Sequence, residues 1–254
     1  MPKSGVEYAT DQITVYRIPC PYHCQYCWAW RIPLYMHRIQ AGRYDPYKEA
    51  LRYKRMKRPR VIVVSFSSDP YPPVEKNKRK TRKVLEALRD TKHTVMILTK
   101  NPILAWDLDS DIIVGSRSFV LGSTVVSLDK NRFEPNAPDP RDRLGILKKA
   151  KLEGVRTWLS VEPIIPDVTF PDKIVEETAD FIDFYVLGAL SHINMLGLPY
   201  NHEDLRIWYE LYIPRAIDIL REYGVKFWLK DNLFRYIPED YKKLRKHISS
   251  IIKP

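Results

Sequence analysis

Short apolar runs at 13–18, 61–66, 95–99, 123–128, 157–161, 184–187 and 225–229 recur along the chain. Helix-forming stretches lie between most of them, at 46–57, 74–89, 140–153, 171–179 and 204–223, with a last one at 239–252. Runs this short and this continuously apolar suit strands buried on both faces, as in a parallel sheet covered by helices. The punctuation agrees. Asp45 precedes Pro46 and Asp139 precedes Pro140, an N-cap followed by a first-turn proline, while Gly154 and Gly224 stand just past helix ends. Strand, helix, strand repeated six times predicts right-handed crossovers and a sheet that closes into a barrel or stops short of one. In such folds function sits at the C-terminal ends of the strands.

A chain of 254 residues with 44% apolar content can bury one large core. We expect one domain, with residues 1–200 as the barrel core and 201–254 as a strand and helices packed on it. No window approaches the apolar length that crosses a bilayer, and the start PKSGVEYATDQ lacks the apolar centre of a signal peptide, so a cytoplasmic location is expected.

The net charge of +11 lies partly in two runs, RYKRMKRPR at 52–60 and KNKRKTRK at 76–83. Such runs attract polyanions, DNA or RNA among them. They are equally at home on the solvated, charged surface of a heat-adapted (thermophile) protein. Within the second run Lys76, Arg79, Lys80 and Lys83 follow i, i+3, i+4, i+7 spacing, which on a helix makes one stripe and marks them as candidate nucleic-acid contacts.

Polar residues interrupt the apolar runs at the predicted strand ends: the cysteine loop after the first, Ser67, Ser68 and Asp69 after the second, Lys100 and Asn101 after the third. Ser127 and Asp129 follow the fourth, Glu162 the fifth, and Gly188 to His192 the sixth. Taken singly, each is as well explained by a turn or a helix cap; together they converge on one rim.

All three cysteines, Cys20, Cys24 and Cys27, fall within eight positions. Their odd number and closeness argue against a disulfide framework. Two objects suit the spacing. A zinc ion would take the three thiolates with His23 or His37 as a fourth ligand. A cubane iron–sulfur cluster would take the three thiolates and leave one iron without a protein ligand.

The C-x3-C-x2-C spacing, with Tyr26 before the last cysteine and at the end of the first strand of an α/β barrel, resembles the radical S-adenosylmethionine (SAM) superfamily. SSDPYPPVE at 67–75, ILTKNP at 97–102, Ser127-Leu-Asp129, EPNAPDP at 134–140 and Pro163-Ile-Ile-Pro166 are similar to the spore photoproduct lyase-like subgroup. The resemblance implies a parallel (β/α)6-type partial TIM barrel with a C-terminal helical extension. It implies a [4Fe-4S] cluster on Cys20, Cys24 and Cys27, and SAM chelated to the open iron. An electron from a flavodoxin- or ferredoxin-type donor would cleave SAM to a 5′-deoxyadenosyl radical that abstracts hydrogen from the substrate. It further implies Tyr26 along the adenine, Ser67, Ser68 or Asp69 at SAM's amino group, and Lys100 at its carboxylate. Ser127 and Glu162 would reach the ribose, and the Leu187-Gly188 backbone the adenine edge.

Two departures narrow this. Photoproduct-repairing members use a further cysteine to return hydrogen to the product, and this chain has none to spare. Position 162 is acidic where many relatives have a small apolar residue. Nucleic acid leads as the substrate class, with Tyr22, Tyr71 and Trp28 as stacking candidates. The alternatives are a small molecule or peptide substrate, or a zinc-stapled nucleic-acid-binding protein.

Overall fold

The computed structural model describes residues 6–16, 20–30, 44–65 and 67–242; the rest of the expected last helix and His37 lie outside them. Seven strands, β1 (Asp11–Ile13), β2 (Val61–Val64), β3 (Thr94–Thr99), β4 (Phe119–Thr124), β5 (Arg156–Ile164), β6 (Phe184–Ala189) and β7 (Lys226–Leu229), form one sheet in sequence order. Every neighbouring pair is parallel, and the sheet curls into a half-barrel.

The outer face packs Ile62, Val64, Ile97, Leu121, Leu159 and Leu187 against the helices. The inner face carries Val61, Val63, Met96, Val120, Trp158 and Val186. Burial on both faces is why these runs read as continuously apolar rather than alternating. Trp158 fills the barrel's lower interior: its indole N–H donates to the Ile97 carbonyl at 3.0 Å, and Tyr8 meets it edge-on with ring centroids 5.7 Å apart. Gly122, its register partner on β4, leaves the space, since a Cβ there would stand 2.2 Å from the indole nitrogen. The N-terminal segment spans the sheet's ends, with the Asp231 N–H donating to the Glu7 carboxylate at 2.8 Å.

The helices are α1 (Pro46–Lys54), α2 (Glu75–Lys78), α3 (Lys80–Leu88), α4 (Pro102–Ile113), α5 (Pro140–Leu152), α6 (Pro171–Thr178), α7 (Ile193–Leu196), α8 (His202–Glu222) and α9 (Glu239–Lys242). Asp45 and Asp139 cap α1 and α5 as expected.

Four expectations are corrected. The first strand runs 11–13 rather than 13–18, and residues 14–16 continue it without strand pairing. The fourth strand runs 119–124 rather than 123–128: the apolar stretch continues beyond it, and pairing with β3 and β5 selects the earlier half. Helix α4 was not expected. Its sequence PILAWDLDSDII is apolar on most sides, so it shows no clear stripe, although Asn101 caps it and Pro102 opens it. The expected helix 74–89 breaks at Arg79, whose φ of 49° is left-handed. There the Glu75 carboxylate accepts the backbone N–H groups of Lys80 and Thr81 at 3.0 and 2.9 Å, capping α3 from one turn back.

Candidate active site

Inward-facing positions become polar toward the C-terminal ends of the strands. Val61 and Val63 lead to Ser65, Met96 and Leu98 to Lys100, Val120 to Thr124, Trp158 to Ser160 and Glu162, and Trp228 to Lys230. These polar residues line a cavity of ≈ 370 Å³ together with all three cysteines, Tyr26, Trp28, Ser67, Ser68 and Asp69.

Most of the expected residues therefore meet at one place: Cys20, Cys24, Cys27, Tyr26, Ser67, Ser68, Asp69, Lys100 and Glu162. Ser127, Leu187 and Gly188 do not line it. Because β4 ends early, Ser127 lies in the following turn, its hydroxyl accepting the Asp129 N–H at 3.2 Å, and Thr124 and Ser160 occupy the wall instead. The Leu187 carbonyl accepts the Lys230 N–H at 3.0 Å, and Gly188 is covered by the Glu162 side chain.

The cysteine loop is braced from two sides. The Gln25 N–H donates to the Phe133 carbonyl at 2.9 Å, and the Tyr22 hydroxyl to the Tyr71 carbonyl at 2.7 Å. Cys24 is buried with Tyr22 and Ala137. Ser65 accepts the Val15 N–H at 3.0 Å, and the Ser68 hydroxyl donates to the Tyr16 carbonyl, so hydroxyls after β2 also hold the loop's entry. All three thiols are free of disulfides. Burial, with Asp69 adding to it, pushes the Cys20 thiol up to about 12; burial also raises Cys24, against the pull of Lys100.

Asp69 is a clamp. Its carboxylate accepts from the Tyr71 N–H at 2.8 Å, the Thr99 hydroxyl at 2.6 Å and the Lys100 N–H at 2.7 Å, locking the loop after β2 to the end of β3. Burial raises its pKa and those three donors oppose the rise.

Lys100 stands in a buried charge network that sequence reasoning missed. Its ammonium donates to the Tyr26 hydroxyl at 2.6 Å and to Glu134 Oε1 at 2.7 Å, and the Tyr26 hydroxyl also donates to Glu134. Arg143, itself 1% exposed, places Nη2 2.6 Å from Glu134 Oε2, an ion pair whose angle lies outside hydrogen-bond geometry. Burial alone would raise Glu134, but Lys100 and Arg143 outweigh it and hold the carboxyl down at about 2. The signal was present in EPNAPDP, read only as a matching motif.

On the far wall Glu162 pairs with Lys230, a residue that sequence reasoning also missed. Burial raises Glu162, and Lys230 opposes it. Of the expected basic stripe, Lys76, Lys80 and Lys83 are exposed. Arg79 leaves it, donating to the Leu108 carbonyl at 2.7 Å and to Asp109 at 3.1 Å. Tyr22 and Tyr71, expected to stack a base, are 3% and 0% exposed and cannot.

A parallel half-barrel whose C-terminal cavity is walled by a three-cysteine loop is the architecture of radical SAM enzymes, and this chain has that fold. It is similar to Streptococcus suis SuiB bound to its precursor peptide SuiA, with a TM-score of 0.61 and 16% identity, covering 92% of this chain. It spans about half (51%) of the SuiB chain. A spore photoproduct lyase variant with bound AdoMet and a dinucleoside spore photoproduct gives a TM-score of 0.61 at 13% identity, covering 88% of this chain and 78% of that one. Among curated proteins, an uncharacterized protein of Methanocaldococcus jannaschii, MJ0683, is 29% identical over 194 residues, 74% of this chain and 71% of its own length. No protein-family model matches the chain. Among the described residues no helix is long and apolar enough to cross a membrane.

Proposed function

We propose that this chain is a radical SAM enzyme that holds a [4Fe-4S] cluster on Cys20, Cys24 and Cys27 and binds SAM beside it in the cavity. One observation carries the reading: three thiols, with no fourth cysteine in the chain, share the wall of one cavity at the ends of parallel strands. That donor set suits a cluster with one open iron. Cluster and SAM together would supply the 5′-deoxyadenosyl radical, given one electron from a flavodoxin- or ferredoxin-type donor.

The chain's own residues do the positioning. Lys100 presents a charged donor to SAM's carboxylate; burial works against its charge, and Glu134 and Cys24 sustain it. Tyr26 offers a ring face held by Glu134 and Lys100. In this reading Thr124 and Ser160 supply the hydroxyls nearest a ribose, in place of both Ser127 and Glu162, the latter being engaged by Lys230.

Nucleic acid is the substrate class we favour. Spore photoproduct lyase holds a dinucleoside lesion in the same fold, and Lys76 on α2 and Lys80 and Lys83 on α3 are exposed cations. A peptide is the second reading, because SuiB binds one.

Anaerobic purification and reconstitution test the proposal. We expect brown protein with about four irons per chain, bleached in Cys24→Ala, and 5′-deoxyadenosine released on reduction with SAM. Colourless protein carrying one zinc overturns the reading. A panel of oligonucleotides and peptides, scored for stimulated 5′-deoxyadenosine release, decides between the substrate classes.

A further inference from the structure

The cavity has two chemically different sides. The cysteine loop, the serines and Asp69 after β2, and Lys100 lie after the first three strands. Glu162 and Lys230 lie at the ends of β5 and β7, two and more strands away. The proposed cluster and the SAM carboxylate are accounted for on the first side. The ion pair on the second is not.

Its burial needs a reason other than stability. Side-chain exposure is 11% for Lys230 and 20% for Glu162. A buried ion pair recovers little more than its desolvation cost, and apolar residues of similar size are often as good or better. Apolar residues are what these strands place lower in the barrel, Trp158 two inward positions below Glu162, Val186 one below Gly188 and Trp228 one below Lys230. The sheet also gives up a side chain to seat the pair: a Cβ on Gly188 would lie 2.7 Å from Glu162 Cγ and 3.0 Å from Lys230 Cδ.

An ammonium has three donors and a carboxylate about four lone-pair sites, so their mutual contact exhausts neither. Side by side they present a donor next to an acceptor. The complement is an acceptor next to a donor, which is the hydrogen-bonding edge of every nucleobase and is recognised when a base is taken out of its stack. Trp28, half-buried on the same cavity, supplies a ring face for stacking. We propose that Glu162 and Lys230 form the base-reading pair of this cavity, binding the Watson–Crick edge of an unstacked nucleobase. The proposal rests on the nucleic-acid reading above.

The test uses the reconstituted protein and fluorescein-labelled single strands of about ten nucleotides, either base-bearing or abasic with the same phosphate charge. Wild type should bind the base-bearing strand at least about ten-fold more tightly than the abasic one. The double variant Glu162→Gln/Lys230→Gln removes both charges at once, so neither is left buried and unpaired. It should lose most of that ratio while its SAM affinity changes less than about three-fold. A double variant that keeps the ratio overturns the proposal, as does one whose SAM affinity falls in parallel, because the pair would then belong to the cofactor site. Equal binding of both strands by wild type overturns the pair's role and leaves the nucleic-acid reading standing. No binding of either strand overturns both.

Discussion

The Glu162 side chain lies directly over Gly188, so close that any Cβ at 188 would stand 2.7 Å from the glutamate's Cγ. Glycine here serves neither a turn nor a positive φ; it makes room inside a strand, much as Gly122 does for Trp158.

Gly188→Ala should therefore destabilise the fold by about 1–3 kcal/mol through overpacking. Glu162→Ala should relieve most of that cost, giving a coupling in the double-mutant cycle that denaturant unfolding can measure. Additive effects would mean that the glutamate simply turns aside.

Glu134 makes stability depend on acid. Its folded pKa of about 2 lies below the ordinary 4.5, so its contribution is complete above about pH 4.5 and is lost as pH falls toward 2. Wild type should lose melting temperature more steeply than Glu134→Gln between pH 5 and about pH 3, and less difference should remain at the acid end. Parallel curves would show that Lys100 and Arg143 do not hold the carboxyl ionised.

Lys100→Ala should weaken SAM binding by about 1.5–3 kcal/mol, the range for a hydrogen bond to a charged group, in protein that still carries its iron. Arg143 remains beside Glu134 in that variant, so the buried carboxylate keeps a cation. Unchanged SAM affinity, measured by equilibrium dialysis, would confine the lysine to bracing Glu134 and Tyr26.

The basic segment should divide by role. Changing Lys76, Lys80 and Lys83 to Gln should leave stability within about 0.5 kcal/mol. In the same variant the slope of log affinity against log salt for a single strand should become shallower by about one to two units. Arg79→Gln should do the reverse, costing about 1–2 kcal/mol of stability because it leaves buried Asp109 with Arg82 as its remaining cation, with little change in slope. Fluorescence anisotropy across a salt series reads both.

How much of this was legible beforehand follows from where the information lies. The parallel half-barrel, the cysteine loop and the polar strand ends were readable because they depend on local pattern: continuous apolar runs, cap and proline pairs, and three thiols at fixed spacing. The β4 offset was not, because the run 119–128 carries apolar residues in both halves, Phe119 to Leu121 and Val125, Val126 and Leu128, and only inter-strand pairing chooses its register. The break at Arg79 was hidden for a related reason. Side-chain spacing is blind to a buried Glu75 that accepts the next helix's backbone N–H groups.

The sequence by itself determined the donor set, three cysteines and a lysine at strand ends, and the order in which the strands would present them. Only the tertiary structure decided the partners: Glu134 and Arg143 around Lys100, and Lys230 beside Glu162 across the glycine of the strand between them. Charge pairs between residues 34 and 68 positions apart leave no periodicity in the chain, and their worth arises from burial that exists only once the barrel has closed around them.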